Sequence, residues 1–214
     1  MHDLLFYYWQ TFTGKYGSDE ELSDHLFLAI KSAYNEPHRF YHTISHIQHL
    51  IHLFNNFEAS LSDKELVFFS ISYHDIVFIP GRNDNEEKSA RRAERDLRLL
   101  NIPEEKTENI KSFIRATKDH LRSGATNNDD LSFFLDFDRS ILGAEESKYA
   151  AYVKAIRHEF SFLSEHEFAK GRASFLKRTL ANPFVFYTVP FRQAYEQRAQ
   201  KNMEQELHQW LRYT

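Results

Sequence analysis

The sequence contains no cysteine, and this absence excludes two kinds of site. No disulfide framework can hold the chain together, and no thiolate is present to bind a metal ion. Any metal site must therefore be built from the nitrogen and oxygen donors of histidine, aspartate and glutamate.

Glycine and proline are also scarce, with 6 and 5 residues in a chain of 214. Long stretches without these breakers favour helices over the many tight turns of a β-sheet protein. Since no repeat or linker divides the chain, we predict an all-α fold, a single compact helical bundle over residues 1–214. The predicted helices are approximately 2–14, 19–34, 43–57, 63–78, 85–100, 104–121, 129–142, 145–161, 165–181 and 190–212.

The chain also lacks a strong charge of one sign, since its net charge is −4. A long nucleic acid is therefore not an expected partner. No apolar run reaches membrane-spanning length, and the N-terminal residues lack the basic start and apolar stretch of a signal peptide. We expect a cytoplasmic protein that acts on a small molecule and has no membrane partner; the sequence leaves the oligomeric state open.

Histidine, by contrast, is concentrated in one short stretch, RFYHTISHIQHLIHLF, which covers residues 39 to 54. On a helical wheel at about 100° per residue, the apolar residues of this segment fill one arc. His46 lies inside that arc, whereas His42 and His49 lie at its edge. His52 lies on the polar face. His46 is therefore the histidine that the pattern predicts to point into the interior.

Two further segments place ionisable residues where apolar ones are expected. KELVFFSISYHDIVFIP is apolar nearly all round and ends in His74 and Asp75. A carboxylate at the end of such a buried helix is costly unless it is paired or bound to a metal. In DDLSFFLDFDRSILG, Asp138 lies near the middle of the apolar face, whereas Asp136 and Arg139 lie on the polar side. An aspartate in place of an expected leucine indicates a functional position.

His46, His74, Asp75 and Asp138 together supply two imidazoles and two carboxylates. This donor set suits one divalent ion, of Mn, Fe, Co, Ni, Zn or Mg. Four protein ligands leave positions on a six-coordinate ion for water and substrate, which is the pattern of a catalytic site. Taken singly, each residue also has an ordinary alternative as a buried hydrogen-bonding or salt-bridging group.

The order H…HD…D resembles the HD-domain superfamily of metal-dependent phosphohydrolases. The segments RFYHTISHI, YHDIVFIPGRNDNEEKSA, IRATKDH and LDFDRSILG are similar to a bacterial branch of that superfamily. The resemblance implies an HD-type helical bundle. It also implies hydrolysis of a small phosphate ester, a nucleotide in particular, by metal-activated water.

YHTISH is more distantly similar to the YHNxxH motif of cyclic-nucleotide phosphodiesterases. That similarity implies His42 as the proton donor and His46 as a metal ligand. Thr43 stands where the phosphodiesterase motif has asparagine.

Several other residues are candidates for the same site. Glu86 shares a helix face with small and apolar residues, and it either acts on a water as a base or complements the N-terminus of its helix. Arg39 is the best-placed candidate for binding the phosphate, and Arg172 and Arg178 are further candidates. His120 is a candidate for substrate binding or for a second metal, and its alternative is an ordinary core histidine.

Two functions of other classes remain open. HD-type di-iron oxygenases resemble this ligand set but need additional histidines for a second iron, and His120 is the obvious extra one. A non-catalytic nucleotide-binding module would keep the fold without turnover.

Overall fold

The computed structural model describes residues 3–119 and 128–213, and all regular structure in these two ranges is helical. The prediction of an all-α fold is thus confirmed. The α-helices are α1 Leu4–Gly14, α2 Glu20–Ala33, α3 Ile44–Phe57, α4 Lys64–Tyr73, α5 Asn85–Leu99, α6 Glu104–Ala116, α7 Asp129–Arg139, α8 Glu146–Glu159, α9 Glu165–Leu180 and α10 Val189–Trp210. Short 3₁₀ turns occupy Glu58–Ser60, Thr117–Asp119, Ser140–Gly143 and Leu211–Tyr213.

Side-chain caps mark the start of several of these helices. Each capping oxygen accepts a hydrogen bond from a backbone N–H in the first turn, which has no partner within the helix. A cap of this kind stabilises a helix by about 1 kcal/mol. The capping residues are Asp3, Asp19, Asp63, Asn128 and Ser164.

The core around α4 is largely aromatic. Every residue from Leu66 to Tyr73 is buried, as the apolar composition of this segment predicts. Phe68 packs against Phe12 with ring centroids 5.3 Å apart, and Phe54 meets Tyr8 edge-on at 5.0 Å. Because α4 is surrounded in this way, the residues that follow its last turn begin in the interior of the protein.

α4 ends at Tyr73 rather than at the predicted residue 78. Pro80 has no N–H to donate to the carbonyl of Ile76, and it disfavours helical geometry at the residue before it. The Arg39 guanidinium instead donates to the carbonyl oxygens of Asp75 and Ile76, at 2.7 and 3.0 Å. The chain therefore turns directly after the helix, and the turn carries His74 and Asp75.

No helix in the described ranges is both long and apolar enough to cross a membrane.

Gly143, in the 3₁₀ turn after α7, lies against α10. A Cβ added at Gly143 would lie 2.6 Å from both the Cβ and the carbonyl oxygen of Tyr195. Because backbone atoms cannot move aside cheaply, we expect Gly143→Ala to lower the free energy of unfolding by about 1–3 kcal/mol. Gly171 is the matched control, since it lies within α9 with nothing inside 4 Å.

Gly171→Ala should raise the free energy of unfolding by about 0.5–1 kcal/mol, because alanine loses less conformational freedom in a helix. Urea denaturation of both variants measures the contrast. Effects of the same sign in both would contradict the packing of the 3₁₀ turn against α10.

Candidate metal centre and the adjoining cavity

Three segments bring the predicted metal ligands together. His46 lies on the buried face of α3, His74 and Asp75 follow α4, and Asp138 lies in the last turn of α7. The Nε2 atoms of His46 and His74 are 3.4 Å apart. Oδ1 of Asp138 lies 3.1 Å from Nε2 of His46 and 3.7 Å from Nε2 of His74. Oδ2 of Asp75 lies 3.1 Å from Nε2 of His74.

The hydrogen bonding of His74 fixes which ring nitrogen can act as a ligand. Its Nδ1 donates to the carbonyl oxygen of Ile71 at 2.9 Å, since a carbonyl can only accept. Nε2 of the neutral ring therefore presents a lone pair to the cluster, in the arrangement that orients metal-binding histidines. The donor atoms of His46, His74 and Asp75 all lie within 4.8 Å of one another. Two imidazole nitrogens that converge with carboxylate oxygens fit a divalent metal ion.

Burial lowers the pKa values of the two histidines, whereas the neighbouring carboxylates raise them. Burial lowers the pKa of His46, and the hydrogen bond with Asp138 offsets this only in part. Burial also opposes protonation of His74, but Asp75 and Asp138 outweigh it and raise the pKa of His74 well above its usual value. In turn, burial would raise the pKa of Asp75, but the His74 charge lowers it. Without a metal, the two carboxylates thus favour protonated His74, and a metal ion would displace that proton.

We therefore expect metal binding at neutral pH to release about one proton per chain. Protonated His74 cannot bind a metal, so the apparent affinity should fall by about tenfold for each unit that the pH drops below the His74 pKa. Calorimetric titration in two buffers with different ionisation enthalpies measures the number of protons released. Binding without proton release, or affinity that rises as the pH falls, would contradict this role of His74.

His42 adjoins the cluster and is held by Glu159, which is not among the predicted site residues. Nδ1 of His42 donates to Oε2 of Glu159 at 2.7 Å. The other carboxylate oxygen accepts the backbone N–H groups of Phe40, Tyr41 and His42 at 2.8 to 3.0 Å. Nε2 of His42 is left facing Oδ2 of Asp75, 3.9 Å away. One buried carboxylate thus orients both the ring and the backbone that carries it.

Glu159 also controls the charge of His42. Burial lowers the pKa of His42, but its hydrogen bond to Glu159 and the charge of Asp75 outweigh burial and raise the pKa. The imidazolium, which is the form that a proton donor requires, is therefore favoured. The sequence did contain a signal for Glu159, because it continues the buried face of Tyr152 and Ile156 at helical spacing.

Arg39 lies beside the cluster, but its side chain is 0% exposed and faces the protein. Besides the carbonyls of Asp75 and Ile76, its guanidinium contacts the carbonyl of His42 at 3.1 Å and the carboxylate of Glu36 at 3.0 Å. The structure therefore places Arg39 between the segment before α3 and the turn after α4. This position fixes His42 relative to Asp75.

The other predicted site residues lie at or beyond the edge of the cluster. Glu86 is partly buried in the first turn of α5, and its Oε2 has no hydrogen-bond partner in the described ranges. Within the described ranges, no hydrogen bond or ion pair joins Glu86 to His46 or His74. His120 lies outside the described residues. His49 contacts the hydroxyl of Ser140 at 3.0 Å.

Asp136 and Arg139 differ from the helical-wheel prediction, which placed both on the polar side of α7. Both are buried. Asp136 accepts the backbone N–H groups of Tyr187 and Thr188, each at 2.8 Å, and so holds the two residues that precede α10. Burial raises the pKa of Asp136 to about 6, although these hydrogen bonds oppose the shift. The polar side of α7 thus faces the segment before α10 rather than solvent.

A cavity of about 310 Å³ adjoins the cluster, and Asp138 and His42 form part of its wall. Its apolar lining includes Ile156, Phe160 and Phe175. Its cationic lining consists of Lys118, Arg139, Arg172 and Arg178. The two arginines predicted from the penultimate helix, Arg172 and Arg178, therefore do lie beside the candidate metal centre.

The two arginines of α9 differ in their partners. Arg172 is buried and donates to the carboxylate of Glu206 at 2.7 and 3.1 Å and to the hydroxyl of Tyr152 at 3.1 Å. Arg178 is exposed. Arg172 thus has its hydrogen-bond partners within the protein, whereas Arg178 is accessible to a ligand that enters from solvent.

Comparison with family models, with curated proteins and with solved structures finds no match to this chain. The order of the HD-type residues therefore remains a resemblance. The geometry of the cluster and of the cavity is what supports a function.

Proposed function

We propose that this protein is a metal-dependent phosphohydrolase that acts on a small phosphate ester, a nucleotide in particular, by attack of metal-activated water. The observation that carries the proposal is the convergence of the two imidazoles of His46 and His74 with two carboxylates at the wall of a cation-lined cavity. A metal site alone suits many reactions, and a cationic cavity alone suits simple binding. Their juxtaposition favours phosphate-ester hydrolysis.

His46, His74, Asp75 and Asp138 would hold one divalent ion. When bound, the ion would lower the pKa of a water molecule and offset negative charge on the phosphoryl oxygens. The mixed nitrogen and oxygen donors suit Mn, Fe, Co, Ni or Zn, and Mg with a larger share of water ligands.

His42 is the proton donor in this proposal. Its Nε2 faces the cluster, and its ring lines the cavity, so a leaving oxygen in the cavity can take the Nε2 proton. Glu159 orients the ring through Nδ1 and favours its protonated form. The ester oxygen then leaves as a neutral hydroxyl group, which lowers the barrier to cleavage of the P–O bond.

A panel of phosphomonoesters and phosphodiesters tests the proposal. The protein is first treated with a chelator, and Mn, Co, Ni, Mg or Zn is then added back. We expect hydrolysis of at least one substrate with at least one ion, and none by the chelated protein. Loss of hydrolysis in the His74→Ala and Asp138→Ala variants, purified in the same way, would exclude a contaminating hydrolase as its source. Absence of hydrolysis across both classes of ester with every ion would contradict the proposal.

The protein as purified, before chelation, distinguishes the two alternative functions. Two irons per chain after aerobic purification would indicate a di-iron oxygenase. Thermal stabilisation by nucleotides without turnover would indicate a binding module.

A further inference from the structure

Arg139 is a buried cation without a polar partner in the part of the chain that the structure describes. Its exposed fraction is 6%, and its Nη1 atom has no hydrogen-bond partner there. The guanidinium lies 5.8 Å from the centroid of the Tyr187 ring, and no ion pair joins it to a described carboxylate. Because arginine stays charged at any physiological pH, leaving it buried and unpaired is costly. Such a group calls for an explanation.

The other buried arginines of the described ranges do not share this property. Arg172 forms two contacts with the carboxylate of Glu206, and Arg39 has Glu36 and three carbonyl oxygens as partners. The protein therefore pairs its buried guanidinium groups elsewhere. The exception at Arg139 coincides with a cavity, which indicates that the missing partner is a ligand.

The surroundings of Arg139 indicate the charge of that ligand and where it binds. Arg139 follows the candidate metal ligand Asp138 directly, and both residues line the same cavity. Exposed Lys118 and Arg178 line it too, so the cavity favours an anion. A planar guanidinium matches two oxygens of a phosphate group, which makes arginine a common phosphate ligand.

Size and lining narrow the class of anion. A cavity of about 310 Å³ is at the small end of the range for ligand sites. A phosphomonoester presents one organic group, which the apolar part of the lining can contact, whereas a diester carries a group on each side of phosphorus. Ile156, Phe160 and Phe175 offer an apolar surface to that organic group.

We infer that Arg139 binds the terminal phosphate of a small phosphomonoester in this cavity, with the leaving group against the apolar wall. The inference rests on the proposed function, because it assumes that the phosphorus atom is held beside the metal cluster. Arg139 would then be a substrate-binding residue that neither the helical pattern nor the family resemblance singles out.

Equilibrium binding of inorganic phosphate, measured by calorimetry on the full chain with Mn²⁺ present, tests the role of Arg139 without turnover. We expect Arg139→Gln to weaken phosphate binding by about 10- to 100-fold, because a charge-assisted hydrogen bond is lost. Arg91→Gln is the matched control. Arg91 is 72% exposed on α5, its ion-pair partner among the described residues is Glu87, and it lies outside the cavity lining. Equal phosphate affinity in wild type and Arg139→Gln, or no phosphate binding by the wild type, would overturn the inference.

A stability measurement separates ligand binding from a structural role. Arg139→Met removes an unpaired buried charge, so the urea midpoint of the ligand-free protein should stay the same or rise. A large fall in the midpoint would show that Arg139 holds the fold together and would overturn the inference.

Substrate preference tests whether the ligand of this cavity is a phosphomonoester. Hydrolysis of p-nitrophenyl phosphate should be faster than that of bis(p-nitrophenyl) phosphate, and Arg139→Gln should raise KM for the monoester more than it lowers kcat. A preference for the diester overturns the inference while leaving the proposed hydrolase intact. Loss of phosphate binding in Arg139→Gln, in a protein that hydrolyses no ester, would instead support the anion site and count against the proposed function.

Discussion

His74→Ala should abolish stable metal binding and lower kcat/KM for the best substrate of the panel by at least about 10³-fold. The substitution removes a lone-pair nitrogen that lies 3.4 Å from its counterpart on His46. The charge stabilisation that a catalytic ion supplies is worth several kcal/mol, and each 1.4 kcal/mol or so corresponds to about tenfold in rate. Asp138→Ala should have an effect of the same order, because Oδ1 of Asp138 approaches both histidines.

Metal content after chelation, reloading and dialysis measures the loss of metal binding, and steady-state kinetics measures the loss of kcat/KM. His52→Ala is the matched control, since His52 is an exposed histidine of the same helix as His46. It should keep wild-type metal content and activity. Activity that survives both His74→Ala and Asp138→Ala would mean that the cluster is not the metal centre.

His42→Asn should lower kcat by about 10²–10⁴-fold while leaving metal binding unchanged, because general acid catalysis contributes about that much. The loss should depend on the leaving group. A substrate that releases p-nitrophenolate needs little protonation and should be affected least, whereas an alkyl phosphate should be affected most. A uniform loss across leaving groups would contradict the assignment of His42 as the proton donor.

Glu159→Gln tests the same group through the pH profile. His42 must be protonated to act, so activity should fall as the pH rises through its pKa. The Glu159 carboxylate raises that pKa, so removing its charge should move the alkaline limb of the profile to lower pH. His158→Asn, at the exposed neighbouring position, should leave the limb in place. An unshifted limb in Glu159→Gln would show that Glu159 does not act through His42.

The sequence alone was enough to predict the residues whose position depends on a single helix. His46 is buried and His52 is exposed, as the helical wheel of α3 predicts. Asp138 lies at the cluster because it shares a face with the apolar residues of α7. In these cases the period of the helix decides the direction of the side chain.

Residues whose position depends on a distant segment could not be predicted in this way. The helical wheel places Asp136 on the polar side of α7, but the segment before α10 supplies the N–H groups of Tyr187 and Thr188 to it. Arg39 is close to His42 in sequence, yet its direction is set by the carbonyls of the turn after α4. A helical wheel contains no information about these tertiary partners, so the buried state of Arg139 could not be predicted either.

The metal centre is tested most directly by adding one kind of divalent ion stepwise to the chelated protein and measuring hydrolysis after each addition. The geometry predicts that activity rises from the background level to a plateau at about one ion per chain. Asp138→Ala should remain at background over the same range. Full activity in the chelated wild type, or a plateau reached equally by Asp138→Ala, would contradict a catalytic metal held by His46, His74, Asp75 and Asp138.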